Sequence, residues 1–125
     1  MIRREISLRL PNNAGALAGV CRLLADARVN ILAMALETGG LLRIVVENHV
    51  HGAAVLREGR HQVAERDVLM VAVRDSPGAL AAPLRLVAEA GINVDYAYGG
   101  AASGTSASVV LGVDDALRAS SATGI

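Results

Sequence analysis

The chain has no lysine, tryptophan or phenylalanine, two tyrosines (Tyr96 and Tyr98) and one cysteine, Cys21. Each shortage excludes something. With one cysteine no intramolecular disulfide can form, and the chain suits a reducing, cytoplasmic compartment. With 2% aromatic residues it lacks stacking platforms for nucleic-acid bases. The 12 arginines are balanced by 12 acidic residues, and the charges are scattered. A nucleic-acid or anionic-membrane surface needs a clustered basic face instead. Charged residues also interrupt every apolar stretch before membrane-spanning length. The start, Met1-Ile2-Arg3-Arg4-Glu5, has no apolar run of the kind a signal peptide needs. The expectation is a soluble protein with neither nucleic acid nor membrane among its partners.

What is present is a core and a repeat. Of the 125 residues 53% are hydrophobic, enough for one ordinary domain or two small ones. Asn13-Ala14-Gly15-Ala16-Leu17-Ala18 aligns with Ser76-Pro77-Gly78-Ala79-Leu80-Ala81, 63 residues later. The same offset carries Arg22 to Arg85, Leu23 to Leu86, Ala25 to Ala88 and Asn30 to Asn93. Chance similarity in an alanine-rich chain does not keep Gly, Leu, Arg and Asn in one ungapped register. The copies are expected at Glu5–Glu65 and Asp67–Val113, dividing the chain into modules 1–66 and 67–125.

Each copy has the same order of elements. Ile6, Leu8 and Leu10 alternate with Ser7 and Arg9, the pattern of a half-buried strand whose other face, with Glu5, is polar. Asn13 is placed as a helix N-cap, with Leu17, Val20, Cys21 and Leu24 at helical spacing behind it and an end near Arg28. Asn30–Leu36 and Leu41–Val46 form a hairpin around Thr38-Gly39-Gly40. A short helix over His51–Glu58 stops at a left-handed Gly59, and Gln62–Glu65 is a last short strand. The second copy repeats this with a strand over Val68–Val73. Ser76 is placed as N-cap and Pro77 at the first helical position. Pro83 is expected to kink that helix, Gly91 to stop it. A hairpin follows, around Gly99-Gly100 and Gly104, and then a short helix capped by Asp114. Antiparallel sheet with helices on one face is an α+β fold, and the ferredoxin-like βαββαβ unit is its natural topology, here with the second unit truncated at its last strand. That strand pairs with strand one in this topology. The apolar Val68–Val73 strand would otherwise keep an open edge. Two repairs follow: Gln62–Arg66 extends the strand, or a second chain covers the edge, and a homodimer is the expectation, with a monomer whose copies satisfy each other as the alternative.

Asp75-Ser76-Pro77-Gly78-Ala79-Leu80, then a helix, then Gly91-Ile92-Asn93-Val94, resembles the ACT domain. Asn12-Asn13-Ala14-Gly15-Ala16-Leu17 with Val29-Asn30-Ile31 is a degenerate version, with Ala14 in place of the proline and Arg28 in place of the glycine. The resemblance spans nearly the whole chain and looks like the stand-alone tandem members of that family. It implies a ferredoxin-like regulatory module that binds an amino acid or similar small zwitterion, without catalytic activity of its own, acting on a separate metabolic enzyme. It also places the ligand between one copy's loop and the start of a neighbouring copy's second strand, close to Asn93, Ile31 and Val94.

The residues supply a chemical reason. A helix start exposes N–H groups and the positive end of the dipole, which suit a carboxylate. Gly78 lets a ligand approach the backbone. Asp75 can accept from an ammonium group, while Asn12, Asn13, Asn30 and Asn93 offer donors and acceptors. The candidate contacts are therefore Asn12, Asn13, Gly15, Ala16, Leu17, Asn30 and Ile31, and Asp75, Ser76, Pro77, Gly78, Ala79, Leu80, Asn93 and Val94. Asp75, Ser76 and Asn13 are equally what an ordinary helix cap uses. A structural or protein-interaction module that has lost its ligand is the alternative that Asn12-Asn13-Ala14 keeps open. Tyr96 and Tyr98 share one strand face, for packing or for lining a pocket. Cys21 reads as core. His49, His51 and His61 lack the accompanying ligands of a metal site, and neither a cofactor motif nor an acid/base pair is present.

Overall fold

The computed structural model describes the backbone of residues 1–125 and every side chain except those of residues 102 and 103. It is a mixed α+β fold with antiparallel strands. The elements are β1 (Ile2–Arg9), α1 (Ala16–Asp26), β2 (Ile31–Leu36), β3 (Leu41–Val46), α2 (His49–Glu58), β4 (Val63–Arg74), α3 (Ala81–Glu89), β5 (Val94–Ser103), β6 (Ser106–Val113) and α4 (Ala116–Thr123). They form two compact units: Arg4–Arg66, and Met1–Arg3 together with Asp67–Ile125.

In the first unit β3 lies between β2 and β1, with Ile6 opposite Ile44 and Leu8 opposite Leu42. Alternation puts Ile6, Leu8 and Leu10 on one face with Leu42, Ile44 and Val46. Val20 and Leu24 of α1 and Ala53, Val55 and Leu56 of α2 pack on that same face, so both helices cover one side of the sheet. The other face is not plainly solvated. Glu5 is 2% exposed, beside a fully buried Val45. Removing a carboxylate from water is costly without a partner. Arg43 supplies one, its Nε 3.9 Å from Glu5, and also pairs with Glu37.

The second unit repeats the plan. Here β6 lies between β4 and β5, and Leu69, Val71, Leu111 and Val113 pack with Val87 of α3 and with Ala116 and Ala119 of α4. Among the described residues no strand follows α4, and the edge of β4 is met by the start of β1. Met1 and Met70 exchange two hydrogen bonds, of 2.8 and 3.0 Å, the sign of an antiparallel pair, while Ile2 packs on the second core. The strand that opens this copy is continuous with residues 63–66, as one of the two expected repairs required.

Several local expectations are corrected. Asn13 and Ser76 do not cap by side chain: α1 begins at Ala16 behind Gly15, and α3 at Ala81 behind Leu80. Pro77 stands in the turn before α3. Pro83 falls in the first turn of α3, where no intrahelical donor is required, which removes the reason for a kink. Gly59 has φ −75°, and the left-handed residue is Arg60. A Cβ at 59 would stand 2.5 Å from Leu23 Cδ2, the tip of a side chain that would have to move aside. The last helix is capped by Asp115 and not Asp114, through a 3.0 Å bond from the Arg118 N–H. Gly99 and Gly100 lie inside β5, and Gly104 makes the turn.

Candidate functional site

The two loops that join the opening strand to its helix have the same backbone. The Asn13 N–H donates to the Pro11 carbonyl at 2.9 Å, and the Ser76 N–H to the Arg74 carbonyl at 2.9 Å. The Ala16 N–H reaches the Asn13 carbonyl at 3.4 Å, and the Ala79 N–H that of Ser76 at 3.2 Å. Gly15 and Gly78 are both left-handed, φ +88° and +80°, a conformation that explains glycine at each. Ala14 in place of proline leaves this geometry intact.

The helix ends differ in a systematic way. Each module's second helix is closed by a side chain: Asn48 accepts from the His51 N–H at 3.1 Å, and Asp115 caps α4. Each module's first helix has neither a side-chain cap nor an acidic residue in its first turn. The N–H groups of that turn find no carbonyl within the helix. The Ala16 and Ala81 N–H groups turn back to loop carbonyls and Pro83 has none, so in α1 the Leu17 and Ala18 N–H groups, with the positive end of the dipole, are left available to an anion.

In the first unit this helix end opens on a cleft of about 750 Å³. Asn12, Asn13, Gly15, Ala16 and Leu17, all expected from the sequence, line it. So do Leu10, Pro11, Cys21 and Leu36, which were not expected and make its wall largely apolar, with Glu37 and Thr38 from the β2–β3 turn. Two signals lead to them. Cys21 follows Leu17 by one helical turn, and the Leu10 N–H donates to the Gly40 carbonyl at 2.7 Å, which ties the loop to the hairpin. Cys21 is accordingly half-buried beside the cleft and not sealed in the core.

Asn30 and Ile31 are not part of this cleft. Asn30 accepts from the Glu47 N–H at 3.0 Å, and Ile31 pairs with Val46, at the far end of β3 from the loop. The second unit has the same separation. Val94 pairs with Val113 while Arg74, next to the loop, pairs with Ser106, so the eight residues of β6 lie between them. At ~3.3 Å per residue that is about 23 Å. Within one module the two halves of the expected site lie at opposite ends of a strand. Asp75, Ser76, Pro77 and Gly78 are exposed, and Ala79 and Leu80 are half-buried. Asn93 donates from Nδ2 to Asp95 at 2.9 Å, and Val94 packs on the core. Tyr96 and Tyr98 stack, centroids 6.3 Å apart, and the Tyr96 ring covers Gly112, where a Cβ would stand 2.2 Å away.

Among the described residues no group of three or more His, Cys, Asp or Glu could hold a metal ion, and no helix is long and apolar enough to cross a membrane. His49 Nδ1 lies 3.4 Å from Glu65, and His51 Nε2 3.1 Å from the Ala27 carbonyl.

Residues 1–122 match a family model described as an ACT domain pair. No curated protein matches the chain in sequence. Among solved structures it is similar to a protein from Bacteroides thetaiotaomicron, at 26% identity and TM-score 0.88, covering 98% of this chain and 86% of that one. It is also similar to the ligand-free regulatory subunit of aspartate kinase from Thermus thermophilus, at 18% identity and TM-score 0.71, covering 99% and 92%. Aspartokinase III of E. coli, in complex with lysine and aspartate, matches at 16% identity and TM-score 0.59, over 94% of this chain and 29% of that one. These last two share the fold.

Proposed function

The chain belongs to the ACT family as a pair of ACT domains, and on that premise we propose that it is a regulatory module binding a free amino acid or similar small zwitterion. The observation that carries this is the uncapped N-terminus of α1, opening beside left-handed Gly15 on a cleft with apolar walls. The helix end takes the carboxylate, and Leu10, Leu17, Cys21 and Leu36 take the side chain. The loop of the second module, Asp75–Leu80, repeats the geometry and adds a carboxylate for an ammonium group. The complex of aspartokinase III with lysine and aspartate puts amino acids first among ligands to try.

A ligand that touches both a loop and the start of a second strand, at Asn30 or Asn93, reaches a neighbouring module, and the reading includes a homodimer. It also includes a cytoplasmic location and a separate metabolic enzyme that senses the loaded state, with no chemistry performed by the module. The alternative, a protein-interaction module without a ligand, rested on the degenerate Asn12-Asn13-Ala14, and the loop's preserved hydrogen bonds weaken it.

Thermal melting against the twenty amino acids is the test. At 100 times its Kd a ligand stabilises by about 2.7 kcal/mol, a readable shift. At least one amino acid should raise the melting temperature, and its methyl ester, lacking the carboxylate, should not. Asp75→Ala should weaken binding at the second loop without unfolding the protein. No shift with any amino acid at millimolar concentration rejects the ligand-binding reading.

A further inference from the structure

Several arginines of this chain face a carboxylate. Arg22 meets Asp26 at 4.0 Å, Arg85 meets Glu89 at 2.8 Å, Arg57 and Arg4 approach Glu65 at 3.3 and 3.9 Å, and Arg43 holds Glu37 and Glu5. Arg9 and Arg60, which face no carboxylate among the described residues, line the same cleft. This second cleft of the first unit, about 570 Å³, is lined by Ser7, Leu8 and Arg9 of β1, Leu41 of β3, the connection Arg60-His61-Gln62, and Val63 and Ala64 of β4. Its lining includes two arginines and a histidine, and none of its lining residues is acidic. Among the described residues, Arg60 and His61 have no side-chain partner, and Arg9 has a single 3.4 Å contact, from Nη1 to the Gly39 carbonyl.

We infer that this cleft is a binding site for a small phosphate-bearing dianion, separate from the amino-acid cleft. Two cations lining one cleft repel each other until an anion enters, a role that carboxylates fill for Arg22, Arg43, Arg57 and Arg85. A guanidinium presents a planar fork of donors that matches phosphate and carboxylate oxygens. Two forks, the imidazole, the Gln62 amide and the Ser7 hydroxyl offer more donors than one carboxylate can accept, and a phosphate's terminal oxygens use them better. A charge of two matches two guanidiniums. The space exceeds bare phosphate, and Leu8, Leu41 and Val63 give it an apolar side, so the natural ligand is a phosphate ester with a modest organic part. Arg60 is itself held in a left-handed conformation, φ +69°, between the end of α2 and the start of β4, which fixes where its side chain leaves the backbone. Nucleic acid is not the ligand, because the chain has no net positive charge and its other arginines are scattered.

The experiment uses the whole chain and inorganic pyrophosphate as probe, titrated by calorimetry at constant ionic strength, with chloride as the control salt. Saturable binding is expected, and Arg60→Gln and Arg9→Gln should each weaken it at least tenfold, since a charge-assisted hydrogen bond is lost. Arg22→Gln, which removes the same charge from the exposed face of α1, should leave binding within twofold. If Arg60→Gln loses its fold, Arg9→Gln carries the test from a different element. No saturable binding by the wild type overturns the proposal. So does an equal loss in Arg22→Gln, which would reduce the effect to net charge. Amino-acid shifts should persist in both cleft variants, so the two readings fail independently.

Discussion

Before its second strand each module turns left-handed, at Arg28 in the first, φ +59°, and at Gly91 in the second, φ +72°. The surrounding bonds match: Arg28 N–H to Ala25 and Val29 N–H to Leu24, each at 2.9 Å, against Gly91 N–H to Ala88 at 2.9 Å and Ile92 N–H to Val87 at 3.2 Å. The backbone has been kept where the residue best suited to it has not. The hairpins diverge further. Leu8 and Val71 mark the same rung, and across the third strand they lead to Leu36 and Gly99. Leu36 pairs with Leu42 and Gly99 with Val109, so the second hairpin has four more residues beyond that rung. The module with the full Pro-Gly loop carries glycine where the other has a leucine wall to its cleft. It also takes Met1–Arg3 as the strand it lacks. Motif completeness and structural completeness are thus distributed oppositely between the copies.

The largest expected effect tests the rung. A Cβ on Gly99 would stand 2.2 Å from the Ser108 carbonyl oxygen, a backbone atom, and φ there is +148°. Gly99→Ala should cost about 3 kcal/mol, because neither strand can yield without breaking the ladder. Leu36 is 47% exposed, and Leu36→Ala should cost less than ~1 kcal/mol while weakening amino-acid binding. Urea denaturation of both variants measures this. Equal costs would show that the backbone at Gly99 has room for a Cβ beside Ser108.

Much of this was legible from residue pattern. The offset of 63, the alternation of Ile6, Leu8 and Leu10 and the stripe Leu17–Leu24 gave the order of elements, because burial periodicity survives whatever the ends do. The helix starts were not legible. Asn13 and Ser76 are good caps by type, but Gly15 and Gly78 take the left-handed turn two residues later, and the helices begin after it, at Ala16 and at Ala81. Glu5 was read as solvated, since its partner Arg43 lies 38 residues away on another strand. The cleft was half legible. Its loop is local in sequence, whereas Leu36 and Glu37 arrive only through the hairpin.

A middle-sized effect tests which module the N-terminus serves. Ile2 is half-buried on the second core, and Ile2→Ala should cost about 2 kcal/mol, at the low end for an isoleucine because the site is only partly enclosed. Hydrogen exchange should report it first at Met70 and along β6, where the second unit loses its cover. Faster exchange confined to β3 instead would assign Met1–Arg3 to the first module and undo the boundary proposed here, with 4–66 as one unit and 1–3 with 67–125 as the other.

The smallest effect returns to Arg28 and Gly91. A residue with a Cβ pays roughly 1–2 kcal/mol in the left-handed region. Glycine escapes that cost but loses about 0.5–1 kcal/mol more backbone freedom on folding. Arg28→Gly should therefore stabilise the first module by about 0.5–1 kcal/mol, and Gly91→Ala should destabilise the second by a similar amount. A Cβ at Gly91 would meet nothing within 4 Å, so backbone conformation alone sets the second change, with no clash to confuse it. The Arg28 side chain is exposed and makes no hydrogen bond or ion pair among the described residues, so its loss removes no side-chain bond. Opposite signs from mirror-image substitutions are a strict requirement. If both variants are destabilised, the arginine is held by something other than its turn, and the two turns are not the same piece of structure with different residues in it.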